Sequence, residues 1–362
     1  MGGKILGGFV KTRKEKVSDY PRAFRYKIGV KTERENEVAI KNKRIFVTGG
    51  GGFIGSSLAE WLVDDNEIVL YDINFKNNSI GYSDIINHPN VIFIQGDVLD
   101  FEKVSREIKK PNIVVHTAAV VGVENVIKQP RETLDINFVG TSNLLKAVYD
   151  EPSLERFIYF STSEVFGSNA FRVDENKNSS LGSANEARWS YSISKIAGEH
   201  LVQSYHREYG MPTVIVRPFN IFGTRRIGEH VMKIFICQAL KNEDITIFQD
   251  GSQIRSWCYI SDFCDALIKC MEKDLAIGHS FNIGNSLNTL TIYELAKLII
   301  RLCNSNSKIR FRDITYSDID IRVPNILKAR ELLGYEPKVE IEEGIIRAKE
   351  WYEKFLNRET KT

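Results

Sequence analysis

Short apolar runs alternate with longer amphipathic stretches through the first part of this chain. Strand-like runs are read at residues 44–48, Glu67–Tyr71, Val91–Ile94, Ile113–His116, Phe157–Ser161 and Thr213–Arg217, all rich in β-branched or aromatic residues. Helix-length stretches begin near residue 53 and cover Phe101–Ile108, Leu134–Tyr149 and Trp189–Tyr209. Strands and helices in strict alternation predict parallel βαβ crossovers, so the expected class is α/β with a doubly wound parallel sheet. From Pro218 the alternation is lost. A helix at Val231–Leu240, a strand at Thr246–Phe248, a turn at Asp250-Gly251, a helix around Asp262–Met271, a strand at Ser280–Ile283 and a helix at Ile292–Leu302 are read there. Closing helices are expected at Pro324–Leu333 and Ile341–Lys354. The pattern implies residues 44–217 as the main domain and 218–362 as a smaller C-terminal α/β lobe interleaved with it.

Composition changes this picture mainly at the start. The 362 residues are 43% hydrophobic, enough to bury one large core or a core with an appended lobe. Net charge is +2, but residues 1–42 hold 11 Lys/Arg against 5 Asp/Glu, so a basic leader of +6 precedes a body of −4. Residues 1–43 are therefore expected to be a loosely packed basic extension. It lacks the continuous apolar stretch of a secretory signal, and no run elsewhere is long enough to span a membrane. No interleaved basic and aromatic pattern points to nucleic acid. The five cysteines form no C-x-x-C pair and no cluster with histidine, which predicts reduced thiols, no metal site and a cytoplasmic setting.

The first strand breaks into Gly49, Gly52 and Gly55, the G-x-x-G-x-x-G spacing, before an amphipathic stretch. Such a strand, turn and helix start lets the backbone approach a pyrophosphate and offers it unpaired N–H groups. The second strand ends on Asp72, which can accept from a ribose 2′-OH and would repel a 2′-phosphate. No Lys or Arg follows before Lys76, so the cofactor is read as NAD rather than its 2′-phosphate. In such a sheet ligands lie beyond the carboxyl ends of the strands. Thr48–Gly55, Asp72, Asp97, His116–Ala119 and Ser161–Glu164 should thus share one edge.

Tyr191 and Lys195 form a Tyr-x-x-x-Lys pair on one helix face. An ammonium beside a phenol favours the phenolate and makes the tyrosine a usable base. The chain carries a second such pair, Tyr293 and Lys297, but without a partner loop like that at Thr162, so it is read as packing or capping. These motifs together resemble the extended short-chain dehydrogenase/reductases of the nucleotide-sugar epimerase, dehydratase and decarboxylase group, over about residues 44–355. They are Thr-Gly-Gly-Gly-Gly-Phe-Ile-Gly (48–55), Gly-Asp (96–97), His-Thr-Ala-Ala (116–119), Ser-Thr-Ser-Glu-Val-Phe-Gly (161–167), Arg-Trp-Ser-Tyr-Ser-Ile-Ser-Lys (188–195), Arg-Pro-Phe-Asn-Ile-Phe-Gly (217–223), Gly-Ser-Gln-Ile-Arg-Ser-Trp-Cys-Tyr (251–259) and Arg-Val-Pro-Asn (322–325).

The resemblance implies a Rossmann domain, a resident NAD and a nucleotide-sugar substrate oxidised at C4 and later reduced again. It implies Tyr191 as the base at the C4 hydroxyl, Thr162 as a hydrogen-bonding bridge and Lys195 as the group that tunes Tyr191 and holds the nicotinamide ribose. Gly49, Gly52, Phe53, Ile54, Gly55, Asp72, Asp97, Val98, Ala118 and Ala119 would line the cofactor. Ser163, Asn220, Arg255 and Arg322 would contact the substrate, the last three at its diphosphate. His116 is expected to be structural. The family also implies a homodimer built by a four-helix bundle from Leu134–Tyr149 and Trp189–Tyr209.

Three outcomes follow a 4-keto sugar. Inversion needs only room for the sugar to turn over. Dehydration needs a base at C5 and an acid for the departing C6 hydroxyl. Decarboxylation of a uronic acid needs an enolate stabilised and reprotonated at C5. Glu164 adds a carboxyl group to this region as a fourth catalytic candidate, and Thr-Ser-Glu is similar to UDP-glucuronate decarboxylases and GDP-mannose-type 4,6-dehydratases. Arg-Trp before the Tyr191 motif also resembles the bifunctional decarboxylases. The sequence therefore narrowly favours a UDP-glucuronate decarboxylase-type reaction over a UDP-glucose 4-epimerase-like one and over dehydration. Outside the enzymes, an NAD-binding scaffold or sensor is the alternative, against which stand the intact Thr162, Tyr191 and Lys195.

Overall fold

The computed structural model describes residues 38–359, apart from residue 77 and residues 315–317. The basic extension expected over residues 1–43 thus lies outside the described residues up to residue 37. Residues 38–43 belong to the body: Val38 and Ile40 are buried, the Ala39 N–H donates to Glu272 Oε1 at 2.9 Å, and Asn66 Nδ2 donates to the Ile40 carbonyl.

Strands β1 (Arg44–Thr48), β2 (Glu67–Asp72), β3 (Val91–Gln95), β4 (Ile113–His116) and β5 (Arg156–Phe160) alternate with helices as the pattern predicts. The chain leaves the sheet through β6 (Asn169–Val173) and returns in β7 (Thr213–Pro218). Then β8 (Ile221–Phe222), β9 (Ile245–Phe248), β10 (Ile254–Ser256) and β11 (Cys258–Tyr259) precede β12 (Ser280–Ile283), and β13 (Thr289–Thr291), β14 (Ile309–Arg312) and β15 (Ile321–Pro324) complete the set. The main sheet has the order β12-β7-β5-β4-β1-β2-β3 with every neighbouring pair parallel. Side chains alternate across it: Ile45 and Val47 enter one buried cluster, Phe46 the other. Because β1 runs outward to β2 and β3 while β4 leads the other way, the switch point lies between β1 and β4. Their C-terminal residues Thr48 and His116 are register partners there.

A second sheet, β13-β10-β15-β6, is built mostly from the C-terminal part but borrows β6 from the first, while β12 passes the opposite way into the main sheet. Its strands span three to five residues and pair with distant partners, so no local periodicity reveals them. Pro324 accordingly ends β15 instead of opening a helix, which starts at Leu327. The stretch expected as Leu134–Tyr149 starts earlier, at Pro130, whose missing N–H costs nothing at a first helical position. It includes a π-helical turn at Asp135–Val139 before continuing as Gly140–Val148.

The Ser190–Tyr209 helix approaches the sheet closely. A Cβ at Gly198 would stand 2.0 Å from Tyr159 Oη, which donates to the Lys195 carbonyl. Overpacking a core contact of this kind costs about 1–3 kcal/mol. Gly198→Ala should therefore lower the urea midpoint correspondingly; an unchanged midpoint would show that helix and sheet can separate freely at this point.

Candidate active site

The glycine turn has the shape of an anion cradle. Gly49 adopts φ +66°, and a Cβ on it would lie 2.6 Å from Thr117 Oγ1; one on Gly55 would lie 2.7 Å from the Gly49 carbonyl. The Phe53–Leu62 helix starts with no side-chain cap on Gly52, so the first-turn N–H groups of Phe53, Ile54 and Gly55 are left for a ligand. Asp72 is held over this turn, its Oδ2 accepting from the Gly51 N–H at 2.9 Å and its Oδ1 from the Asn74 N–H at 3.1 Å. Burial raises its pKa against these bonds. Asp97 follows β3, its Oδ1 accepting from the Leu99 N–H and its carbonyl from Tyr71 Oη. Val98 is buried, and Ala118 N–H donates to Thr48 Oγ1 at 3.3 Å. With bare glycine backbone, a free helix start and an acidic residue at the end of β2, these residues fit an adenine dinucleotide with an unmodified ribose.

His116 is structural. Thr141 Oγ1 gives its proton to the Asn137 carbonyl at 2.6 Å, so it accepts from His116 Nε2 at 2.9 Å, leaving Nδ1 to accept from Thr48 Oγ1 at 2.8 Å. Burial, aided by the Lys195 charge, keeps the imidazole neutral.

Beyond β5, the four proposed reacting side chains converge. Thr162 Oγ1 accepts from the Glu164 N–H and is hydrogen-bonded to Tyr191. Lys195, one turn after Tyr191, is 1% exposed; its Nζ donates to the Phe160 carbonyl at 2.7 Å and lies 5.9 Å from the Tyr191 ring centre. One expectation needs correction. Burial and the Glu164 carboxylate raise the Tyr191 pKa, and the opposing pulls come from the Thr162 bond, Arg322 and Arg226 rather than from Lys195. The lysine, spent on the Phe160 carbonyl and stripped of water, is itself pushed down to about 7.

Glu164 is closed between two arginines: Arg188 Nη1 meets Oε2 at 2.7 Å and Arg322 Nη2 meets Oε1 at 3.4 Å. Their charges hold its pKa below the ordinary value in spite of burial. Arg322 and Arg255 are register partners on the parallel strands β15 and β10, which sets the two guanidinium groups on one face. Arg255 Nη1 donates to the Ile254 and Asp320 carbonyls and Nη2 to that of Ile319, with Asp318 3.7 Å away. Asn220, at φ +42°, donates through Nδ2 to the Ser256 carbonyl, and Ser163 is buried. Arg188 is a site residue whose role the sequence motifs do not mark out. Its place three residues before Tyr191 was the available signal, but its meaning depends on meeting Glu164 across the fold. Asn137 likewise carries no sequence signal. Buried in the π-helical turn, it accepts from the Val120 N–H and donates to Ser194 Oγ, joining the loop after β4 to the Tyr191 helix. Tyr293 of the second pair stacks on Phe311, with Lys297 over its ring, in the smaller lobe.

The model of the NAD dependent epimerase/dehydratase family matches residues 45–284. A UDP-N-acetyl-alpha-D-glucosaminuronate decarboxylase of Bacillus cytotoxicus is 33% identical over 324 residues, covering 87% of this chain and 99% of its own. A dTDP-D-glucose 4,6-dehydratase of Mus musculus is 34% identical, covering 86% and 89%. The structure of a UDP-glucuronic acid 4-epimerase from Bacillus cereus, in complex with UDP-glucuronic acid and NAD, superposes with a TM-score of 0.79 at 27% identity, covering 86% and 99%.

Burial keeps both His116 and His230 neutral in the fold, whereas an unfolded imidazole protonates at about 6.5. As pH falls through that value the unfolded chain binds protons that the native state refuses. The contribution of these two histidines to stability should thus be full above about pH 6.5 and decline below it, by up to about 1.4 kcal/mol per pH unit for each histidine. Urea unfolding across this range should show the decline, and His116→Gln should flatten it. An equal slope in the variant would contradict the assignment.

Proposed function

The chain belongs to the NAD dependent epimerase/dehydratase family, and we propose that this NAD-dependent nucleotide-sugar enzyme is a 4-epimerase working through a transient 4-keto sugar. The observation that carries this reading is the pairing of Glu164 with Arg188 and Arg322. A carboxylate held ionised by two cations has no proton to give to a departing C6 hydroxyl or to an enolate at C5, and its lowered pKa makes it a weak base for the C5 proton that dehydration must remove. Inversion at C4 asks for one proton exchange only, which Tyr191 can perform.

NAD would supply the hydride acceptor and donor and, when oxidised, a positive charge near the phenol. Tyr191 takes the C4 hydroxyl proton and returns it, Thr162 bridges the two by hydrogen bonding, and Lys195 orients the ribose from its position on the Phe160 carbonyl. Arg255 and Asn220 would reach the sugar diphosphate on release from the backbone carbonyls they hold, Arg322 would share its guanidinium between that diphosphate and Glu164, and Ser163 would line the hexose. Residues 44–217 would hold the cofactor and 218–362 the sugar nucleotide. Apolar side chains left exposed on two neighbouring helical stretches, among them Phe138, Ile193 and Tyr209, fit a homodimer joined by a four-helix bundle. Sedimentation equilibrium at twice the chain mass would support it. Five cysteines outside any disulfide suit a reducing, cytoplasmic setting, and among the described residues no helix is long and apolar enough to cross a membrane.

One observation favours decarboxylation as a second reading. Arg188 Nε and Arg322 Nε are buried without a hydrogen-bond partner, and a uronic acid carboxylate could receive them.

Products from UDP-glucose, UDP-N-acetylglucosamine, UDP-glucuronate and GDP-mannose, followed by mass and proton NMR, separate the outcomes. Epimerisation leaves mass unchanged and alters the H4 coupling, whereas the other reactions lose CO₂ or water. Tyr191→Phe should lower turnover by about 10²–10⁴-fold with NAD still bound. Glu164→Gln should leave epimerisation within a few-fold. Loss of CO₂ or water in the wild type, abolished by Glu164→Gln, would overturn the proposal.

A further inference from the structure

Glu199 stands one turn beyond Lys195 on the Ser190–Tyr209 helix, and no part of the proposed reaction employs it. Both of its oxygens are engaged. Arg217 on β7 donates from Nε to Oε1 at 2.8 Å and from Nη2 to Oε2 at 2.6 Å, and Ser161 Oγ donates to Oε1. The two charged side chains are only 12% and 10% exposed. Arg217 is in turn fixed, its Nη1 donating to the Glu175 carbonyl at 2.9 Å and its guanidinium lying 5.0 Å from the Phe166 ring centre. Ser161 lies between Phe160, whose carbonyl receives Lys195 Nζ, and Thr162. The end of β5 is therefore tied to the helix twice, once through each charged side chain.

The groups facing Lys195 can be taken element by element. Its own helix presents Tyr191 and Glu199, β5 presents Tyr159 with its ring centre 5.2 Å from Nζ, and β4 presents the neutral His116. Tyr159 is kept a neutral phenol by burial and by the Glu199 charge, and Tyr191 by burial and Glu164. Against the burial that draws the lysine toward neutrality, the opposing pull is that of Glu199.

We propose that Glu199 is a positioning residue: clamped by Arg217 and Ser161, its carboxylate keeps the neighbouring Lys195 side chain an ammonium and holds the strand end carrying Thr162 against the helix carrying Tyr191. The Arg217 pair serves this purpose by immobilising the carboxylate where its field is felt. This deepens the proposed function, because it rests on Tyr191 being the base of the site and Lys195 the group that orients the ribose beside it.

The test needs no substrate. In NAD-loaded protein labelled with [ε-¹³C]lysine, the Lys195 resonance is identified by its absence from Lys195→Arg and titrated by NMR. Removing an opposite charge at this range should lower the midpoint by about one pH unit or more in Glu199→Gln, while Glu199→Asp, which keeps the charge, should stay closer to the wild type. If the single variant fails to fold with Arg217 unpaired, Glu199→Gln combined with Arg217→Met removes both charges and should show a smaller fall in the same direction. A midpoint unchanged in the folded variants would overturn the proposal. With any nucleotide sugar that is turned over, the alkaline limb of kcat/KM should move to lower pH in Glu199→Gln and be largely restored in Glu199→Asp. A shifted midpoint without turnover of any nucleotide sugar would refute the function proposed above and leave the role of Glu199 standing.

Discussion

A lysine Nζ taken almost wholly out of water has to be compensated by whatever folds around it, and the surroundings of Lys195 meet that requirement from several elements at once. The Phe160 carbonyl receives its Nζ, and the faces of Tyr159 and Tyr191 lie within 6 Å of it. These contacts presuppose that β5 is parallel to β1 and β4 and ends at the same edge. They also presuppose a helix close enough to the sheet that a Cβ at 198 would run into the Tyr159 ring. The same parallel order delivers the glycine turn, Asp72 and the Ala118 loop to that edge. The sheet topology, the close-packed helix and the buried cation are one arrangement seen at three scales.

Around the cation, charges are distributed so that each acidic group has a defined partner. Glu164 is held between Arg188 and Arg322, and Glu199 by Arg217. The two carboxylates work in opposite senses: Glu164 makes the Tyr191 phenol harder to ionise, whereas Glu199 makes Lys195 easier to keep charged. The phenol of the protein alone is therefore a poor base. A cationic nicotinamide nearby would remedy that, coupling proton removal to the oxidised state of the cofactor. Relatives that decarboxylate, dehydrate and epimerise share this scaffold, so the choice among reactions rests with the few groups near C5 and C6 rather than with the fold.

Much of this was legible in the sequence where signals are local. The strands Arg44–Thr48, Ile113–His116 and Ser280–Ile283 and the helix Ile292–Leu302 occur with the expected bounds, because their apolar runs are flanked by clear turn residues. The glycine turn and the Tyr191/Lys195 spacing are likewise local. The second sheet was not legible: β10 and β15 are short and unremarkable until paired, yet their register is what sets Arg255 beside Arg322. The π-helical turn that buries Asn137 leaves no periodic mark. Spacing alone also gave the wrong electrostatics for Tyr191, since desolvation and the Glu164 charge act through the assembled site and outweigh a lysine that points to a backbone carbonyl.

In the proposed reaction one hydrogen leaves sugar C4 and comes back to it within a single closed site served by Tyr191 and Lys195. UDP-glucose and UDP-glucuronate deuterated at C4, turned over by the NAD-loaded protein, test it directly through the position of the label in the product. Deuterium should be retained at C4 of the inverted sugar, with none released to solvent. Deuterium exchanged for solvent hydrogen, or found at C6, would contradict it.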